Sequence, residues 1–177
     1  MTIMSATYLR QATQADLPKI SAIIADAKAY LKEQKINQWQ GNYPLSADLE
    51  TDIQNGISYV LVIDGEVAGT AALHQGIDPH YLEIEDGQWA NGPEANYTAI
   101  HRIALSGNFR GQHLSGKLIS GLITISGVLG YTDVRIDTHP DNKGMQHVIT
   151  SNGFTKRGIV YMAEDDPKRF AYQLLIN

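Results

Sequence analysis

The chain has 177 residues, 43% hydrophobic and 19% charged, with 14 Lys and Arg against 19 Asp and Glu. That length suits one compact domain, and the apolar content offsets chain entropy, so disordered, collagen-like and coiled-coil chains are excluded. The net charge of −5 excludes a general nucleic-acid binder, and the absence of cysteine excludes disulfides, thiolate metal sites and a cysteine nucleophile.

No stretch approaches the ~20 apolar residues of a membrane span. The N-terminal MTIMSATYLRQATQADL lacks the basic start and long apolar core of a signal peptide. A cytoplasmic protein with no membrane and no nucleic-acid partner is expected.

Ser5 to Gln11 reads as a first strand. Thr13-Gln-Ala-Asp16 then resembles a capping box, and Leu17, Ile20, Ile24, Ala27 and Leu31 follow at the spacing of an amphipathic helix face, with Pro18 in its first turn. A shorter helix is expected over Leu45 to Asn55, opened by Ser46. Two β-rich runs, Ser58–Ile63 and Glu66–Leu73, flank Asp64-Gly65, the pair that supplies positive φ angles to a tight hairpin. The long segment His74 to Asn96 carries Tyr81 and Trp89 and reads as an ordered loop lining a site.

Ala99 to Ser106 reads as a strand, and Leu118, Leu122, Ile125 and Leu129 mark a helix face stopped at Gly130. Thr132 to Thr138 alternates as a strand. A helix from Asp141 to Ser151 ends at Asn152-Gly153, and two strands follow, Thr155–Met162 and Arg169–Ile176. The order βαα-βββ-αβαββ implies an α+β, or mixed α/β, domain spanning residues 1–177. The final strand, running to the end of the chain, is free in this scheme to pair with a neighbour in a homodimer.

Between strand and helix lies Ile103-Ala-Leu-Ser-Gly-Asn-Phe-Arg110-Gly111-Gln112-His113-Leu114-Ser115-Gly116. A strand, a short glycine-bearing loop and a helix start aim free backbone N–H groups and the positive end of a helix dipole at one point, which suits phosphate. Arg110 can add charge-assisted contacts. The spacing fits neither a Walker loop nor a dinucleotide fingerprint.

This segment resembles motif A of the GCN5-related N-acetyltransferases, Q/R-x-x-G-x-G/A, which cradles the pyrophosphate of acetyl-coenzyme A. Arg110-Gly111, Leu114 and Leu118 match it, whereas His113 and Ser115 stand where Gly and Gly or Ala are usual. Asn142, Met145 and Gly153-Phe154 fall at the family's usual separations, and the Thr13–Asp16 helix start and Asp64-Gly65 hairpin extend the resemblance over nearly the whole chain. Gln38-Trp39, Gly41-Asn-Tyr-Pro44, Gly87-Gln-Trp89 and Ile100-His-Arg-Ile-Ala104 resemble a bacterial subgroup, which implies a bacterial origin without naming a substrate.

The resemblance implies a central, mostly antiparallel twisted sheet of about 6–7 strands with about 4 helices, and acetyl-CoA as cosubstrate. It implies cofactor contacts from Ile103, Ala104, Leu105, Arg110, Gly111, Gln112, His113, Leu114, Ser115, Gly116 and Asn142, with the Leu105 N–H polarising the thioester. The family's acid is a Tyr a few residues before Gly-Phe; Ile149 stands there, leaving the acid unassigned, with Tyr161 as a substitute. For the base, His101 lies on the same strand with a suitable ordinary pKa of ~6.5, sharing side-chain parity with Ile103 and Leu105. Glu83 and Glu85 are runners-up.

Trp39, Tyr43, Tyr81 and Trp89 are candidate walls of an acceptor pocket. His74, His80, His139 and His147 show no ligand spacing, so no metal is expected. The expected activity is transfer of an acetyl group to a small-molecule amine in a ternary complex. Its alternatives are a non-catalytic acyl-CoA sensor of the same fold, or acetylation of a protein N-terminus or lysine.

Overall fold

Asp64 and Gly65 adopt φ angles of 49° and 83°, both left-handed, and close the expected hairpin. The computed structural model describes residues 5–177; Met1–Met4, the start of the stretch scanned for a leader, lie outside the described residues. The elements are β1 (Thr7–Gln11), α1 (Leu17–Glu33), α2 (Ser46–Gln54), β2 (Ser58–Ile63), β3 (Glu66–Gln75) and β4 (Thr98–Leu105), then α3 (Leu114–Val128), β5 (Asp133–Thr138), α4 (Lys143–Ser151), β6 (Thr155–Tyr161) and β7 (Lys168–Leu175). The strands form one seven-stranded sheet in the order β1-β2-β3-β4-β5-β7-β6, antiparallel except between β4 and β5. The fold is the expected α+β arrangement. No helix among the described residues is long and apolar enough to cross a membrane.

Helix starts follow capping chemistry. The Asp16 carboxylate accepts from the Thr13 backbone N–H at 2.8 Å and from Arg10, fixing the entry to α1. At α2 the cap is not the expected Ser46 side chain. The Asp48 carboxylate reaches back to the Leu45 N–H at 2.6 Å, because the chain turns one residue earlier.

Strand alternation then sorts residues between two faces. On one face α3 and α4 bury Leu118, Ile119, Leu122 and Ile149 against Leu61, Leu73, Ile100 and Ile136. On the other, Ile20, Ile23 and Ile24 of α1 cover Val60, Val62 and Ala104. Beside α1 on that second face, the 76–97 segment packs Tyr81, Trp89 and Tyr97 over Ala99, Val160 and Ala171. Arg135 lies under these rings, its guanidinium carbon 4.3 Å from the Trp89 centroid and 3.8 Å from that of Tyr97, paired with Asp133 at 2.8 Å. The long loop is therefore ordered, as expected, by a small core of its own.

The final strand is not free for a neighbour. β7 lies between β5 and β6 and pairs with both, so its backbone groups are already used.

Candidate active site

β4 and β5 pair only over Thr98–Ile100 and Val134–Ile136, then separate. A bulge causes the break. Arg102 takes φ 51°, and the register against β3 jumps from Ala72/His101 to Thr70/Ala104. The bulge also overturns the expected parity: Ile103 and Leu105 pack with Ile100 on the α3 face, whereas His101 contacts Asp78 and Tyr81 on the opposite face. A cavity of about 990 Å³ opens along the gap.

At one end lies the turn into α3. Gly111 and His113 adopt φ 79° and 58°, so His113 holds the left-handed conformation that glycine takes more easily, at roughly 1–2 kcal/mol. Its side chain is exposed, so the substitution leaves the turn's backbone shape intact. Ile103, Ala104, Leu105, Arg110, Ser115 and Asn142 line the cavity. Gly111 and Gln112 belong to the exposed turn, Leu114 is buried in the core, and Gly116 is half-buried on α3. Arg110 bonds Asp26 at 3.0 Å and stacks over Tyr30 at 4.4 Å. Asn142 caps α4 by accepting from the Met145 N–H and donates to Gln38 at 3.2 Å.

The other end is built from side chains. His101 Nε2 lies 2.7 Å from Asp78, whose second oxygen accepts from the His80 backbone N–H at 2.9 Å and faces its ring Nδ1 at 3.0 Å. Burial would raise the Asp78 pKa, but the His101 hydrogen bond and charge, with the His80 contacts, hold it well below the ordinary carboxylate value. An ionised Asp78 only accepts, so Nε2 of neutral His101 carries the hydrogen and Nδ1 presents a lone pair. Nδ1 lies 3.8 Å from Asp137 Oδ2, which accepts from the Tyr81 hydroxyl at 2.6 Å. Burial and then the Asp137 charge push the Tyr81 pKa well above its ordinary value, which keeps that hydroxyl a donor.

Trp39 and Tyr43 line this end. The Trp39 backbone N–H donates to Glu164 at 3.0 Å, and the Tyr43 hydroxyl accepts from Arg102 at 2.7 Å. Tyr81 and Trp89 do not wall the cavity. Both are enclosed in the aromatic cluster behind it, Trp89 donating its indole N–H to the Tyr81 carbonyl at 2.8 Å.

Glu83 is exposed on the loop and away from the cavity. Tyr161 points outward from β6 and donates to Glu85 at 2.8 Å, a bond that raises its pKa and makes it a poorer acid. Neither is placed to act, and Ile149 is core. Among the described residues no group of three or more His, Asp or Glu is arranged to hold a metal ion.

Sequence reasoning missed Asp78 and Asp137. Asp78 had only its place before Pro79 to mark it. Asp137 had a signal: Val134 and Ile136 face the α3 core, so Asp137 must face the other way, and one step along from the Ile100/Ile136 pair it falls beside His101.

The parallel pair splays apart, residues at the start of α3 border the gap, and the His101–Asp78 pair lies on its far wall. The chain matches the Acetyltransferase (GNAT) family over residues 24–154, more than half its length, and belongs to that family. It is similar to the crystal structure of a GNAT-family acetyltransferase from Streptococcus agalactiae, with 33% identity and a TM-score of 0.87 over 97% of this chain and 96% of that one. The Uncharacterized N-acetyltransferase YesJ of Bacillus subtilis is 23% identical over 159 residues, 89% of this chain and 86% of that protein. A Salmonella typhimurium acetyltransferase that modifies the N-terminal serine of ribosomal protein L7/L12 shares the fold at 20% identity, with a TM-score of 0.68 over 97% of this chain and 95% of that one.

Proposed function

We propose that this acetyltransferase moves an acetyl group from acetyl-CoA to the primary amine of a small molecule, directly, in a ternary complex. The observation that carries this is the His101–Asp78 pair, held at 2.7 Å on the cavity wall where β4 leaves β5. With no cysteine in the chain, the commonest route through an acetyl-enzyme has no nucleophile.

The cosubstrate fits this gap on two counts. Thr138 Oγ1, on the wall at the end of β5, is buried without a hydrogen-bond partner, and an amide in the gap would satisfy it. Gly111, in the turn before α3, has nothing within 4 Å of the place a side chain would take, so a phosphate can approach its backbone. In this scheme the turn at Gly111–Leu114 and Arg110 hold the phosphates, and Ile103–Leu105 border the thioester, with the Leu105 N–H as the donor to its carbonyl.

His101 Nδ1 takes a proton from the acceptor ammonium, leaving an amine whose nitrogen bonds the carbonyl carbon as the C–S bond breaks. Asp78 is a positioning residue, holding the ring in the tautomer that leaves Nδ1 free and stabilising the imidazolium. The C–S electron pair leaves with sulfur, the second amine proton passes to that sulfur as the amide forms so that coenzyme A departs as thiol, and His101 returns the first proton to solvent. A cytoplasmic setting belongs to the same proposal, supported by the cysteine-free composition.

The test is a panel of primary amines with acetyl-CoA, followed by thiol release and by mass of the product. Acetylated amine in step with free thiol supports the function. Binding of acetyl-CoA without turnover of any amine would return the chain to a sensor.

A further inference from the structure

We propose that Asp137 anchors the acceptor as its ammonium ion, and that the acceptor is an organic amine carrying no carboxylate beside its nitrogen. The assignment rests on the amine-acetylating function proposed above and names the class of acceptor for it.

Asp137 is distinguished by what it lacks. Its side chain is only 9% exposed, yet among the described residues its one hydrogen-bond donor is the Tyr81 hydroxyl at 2.6 Å, a neutral group. No Lys or Arg bonds it among the described residues, and the ring nitrogen nearest to it, His101 Nδ1, is an acceptor whenever the neutral ring donates from Nε2 to Asp78. Beside it, the lone pair of His101 Nδ1 lies 3.8 Å from Asp137 Oδ2. Two acceptors therefore face each other too far apart to bond and with no donor between them. An ammonium nitrogen within hydrogen-bond reach of both supplies that donor, and one of its protons then already points at the base.

The other charges at this end narrow the class further. Arg102 is held in a fork by Asp52 at 2.6 and 2.7 Å, and its remaining arm is on Tyr43. Arg169 is bonded by Glu164 at 2.7 Å and by two backbone carbonyls. Both guanidinium groups are thus already neutralised and satisfied, while Lys35 and Lys143 are exposed, which holds them to the mouth. A carboxylate next to the acceptor nitrogen would lie close to Asp137 with no free cation to receive it, and like charges in a partly dry site repel strongly. An α-amino acid is disfavoured; its decarboxylated counterpart fits.

The experiment compares matched pairs, phenylethylamine with phenylalanine and 1,4-diaminobutane with ornithine, by thiol release with acetyl-CoA. The expected kcat/KM favours the carboxylate-free member of a pair by about 100-fold or more. Asp137→Asn, which keeps an acceptor for Tyr81, is expected to lower kcat/KM for that amine by about 100-fold, mostly through KM, with unchanged acetyl-CoA affinity. Asp137→Glu should recover part of the loss, which a purely structural role would not show. Calorimetry of the same amine on CoA-loaded protein gives a readout free of turnover, with binding at least tenfold weaker in Asp137→Asn.

Equal or better turnover of the amino acids, or an Asn variant that binds and turns over the amine like wild type, overturns the anchor and leaves acetyl transfer standing. Protein that binds acetyl-CoA but releases no thiol with any amine breaks the proposed function itself, and the anchor with it.

Discussion

The two ends of the cavity solve different problems with different material. The α3 end is made of main chain, a turn through Gly111 and His113 whose shape lies in its φ angles. The opposite end is made of side chains from distant stretches, Trp39 and Tyr43 between α1 and α2, Asp78 in the long loop, His101 on β4 and Asp137 on β5. A backbone site tolerates substitution as long as the turn survives, and His113 in a glycine conformation is an instance. A side-chain site tolerates little, because each member is held by a particular neighbour. On the function proposed above, the backbone end can persist across a family while the side-chain end diverges.

The sharpest way to separate the ends is His101→Ala. We expect turnover to fall by about 10²-fold or more, the lower range for a lost general base, with acetyl-CoA affinity nearly unchanged. Turnover equal to wild type across pH 6–9 would return His101 to a structural role and leave the acceptor end without its base.

A comparably large effect of a different kind is expected at Trp89. Its ring is enclosed with Tyr81 and Tyr97 and stacked on Arg135, so Trp89→Ala removes packing behind the site and none of its wall. The expected loss is about 3–5 kcal/mol of stability, seen as a lower melting temperature, with acceptor KM preserved in the folded fraction. A raised KM in protein of unchanged stability would put Trp89 back on the wall.

That contrast also marks what was legible in the chain. Elements and their order could be read because periodicity and turn chemistry are local: Asp64-Gly65 makes its hairpin with no help from elsewhere. The helix start at Leu114 was legible for the same reason. His101 was found as a residue, yet its direction was wrong, because the bulge at Arg102 resets an alternation that sequence alone carries straight through. Asp78 with His101, and Arg102 with Asp52, depend on chain segments meeting after folding, and no local pattern announces that. The aromatic residues of the long loop were sorted incorrectly for a related reason. Trp39 and Trp89 are both largely buried, and only the tertiary arrangement says which of them borders the cavity.

The α3 end is challenged by Gly111→Glu. A side chain there must adopt φ 79°, and its carboxylate would stand among N–H groups that otherwise face phosphate. Acetyl-CoA affinity by calorimetry should fall about 100-fold, while the left-handed φ alone costs roughly 1–2 kcal/mol and lowers the melting temperature by a few degrees, since nothing lies within 4 Å of the new Cβ to add a clash. Unchanged affinity would remove the phosphate-binding role from this turn. Together with His101→Ala it forms a pair in which each variant damages one end only.

The smallest expected effect serves as the control for that pair. Asp16 stands at the root of α1, far along the helix from the Asp26 and Tyr30 that contact Arg110. The Arg10 hydrogen bonds, opposed by burial and aided by the Thr13 N–H, lower its pKa from 3.8 to about 2. A carboxylate depressed by folding contributes stability that is complete above its unfolded pKa and is lost as the pH falls through the folded value. A shift of this size would correspond to roughly 2 kcal/mol, and with the Arg10 side chain 38% exposed, solvent screening brings the expected contribution to about 1 kcal/mol. Asp16→Asn, which keeps an oxygen for the Thr13 N–H, should therefore be less stable than wild type by about that amount at pH 7, measured by denaturant unfolding. The gap should narrow between pH 4 and pH 2 as wild-type Asp16 takes up its proton. Turnover and acetyl-CoA affinity of the folded protein should match wild type, since neither end of the cavity has been touched. A gap that persists undiminished to pH 2 would show that the Arg10 pair is not its source, and altered cofactor affinity would show that the entry to α1 positions Arg110 after all.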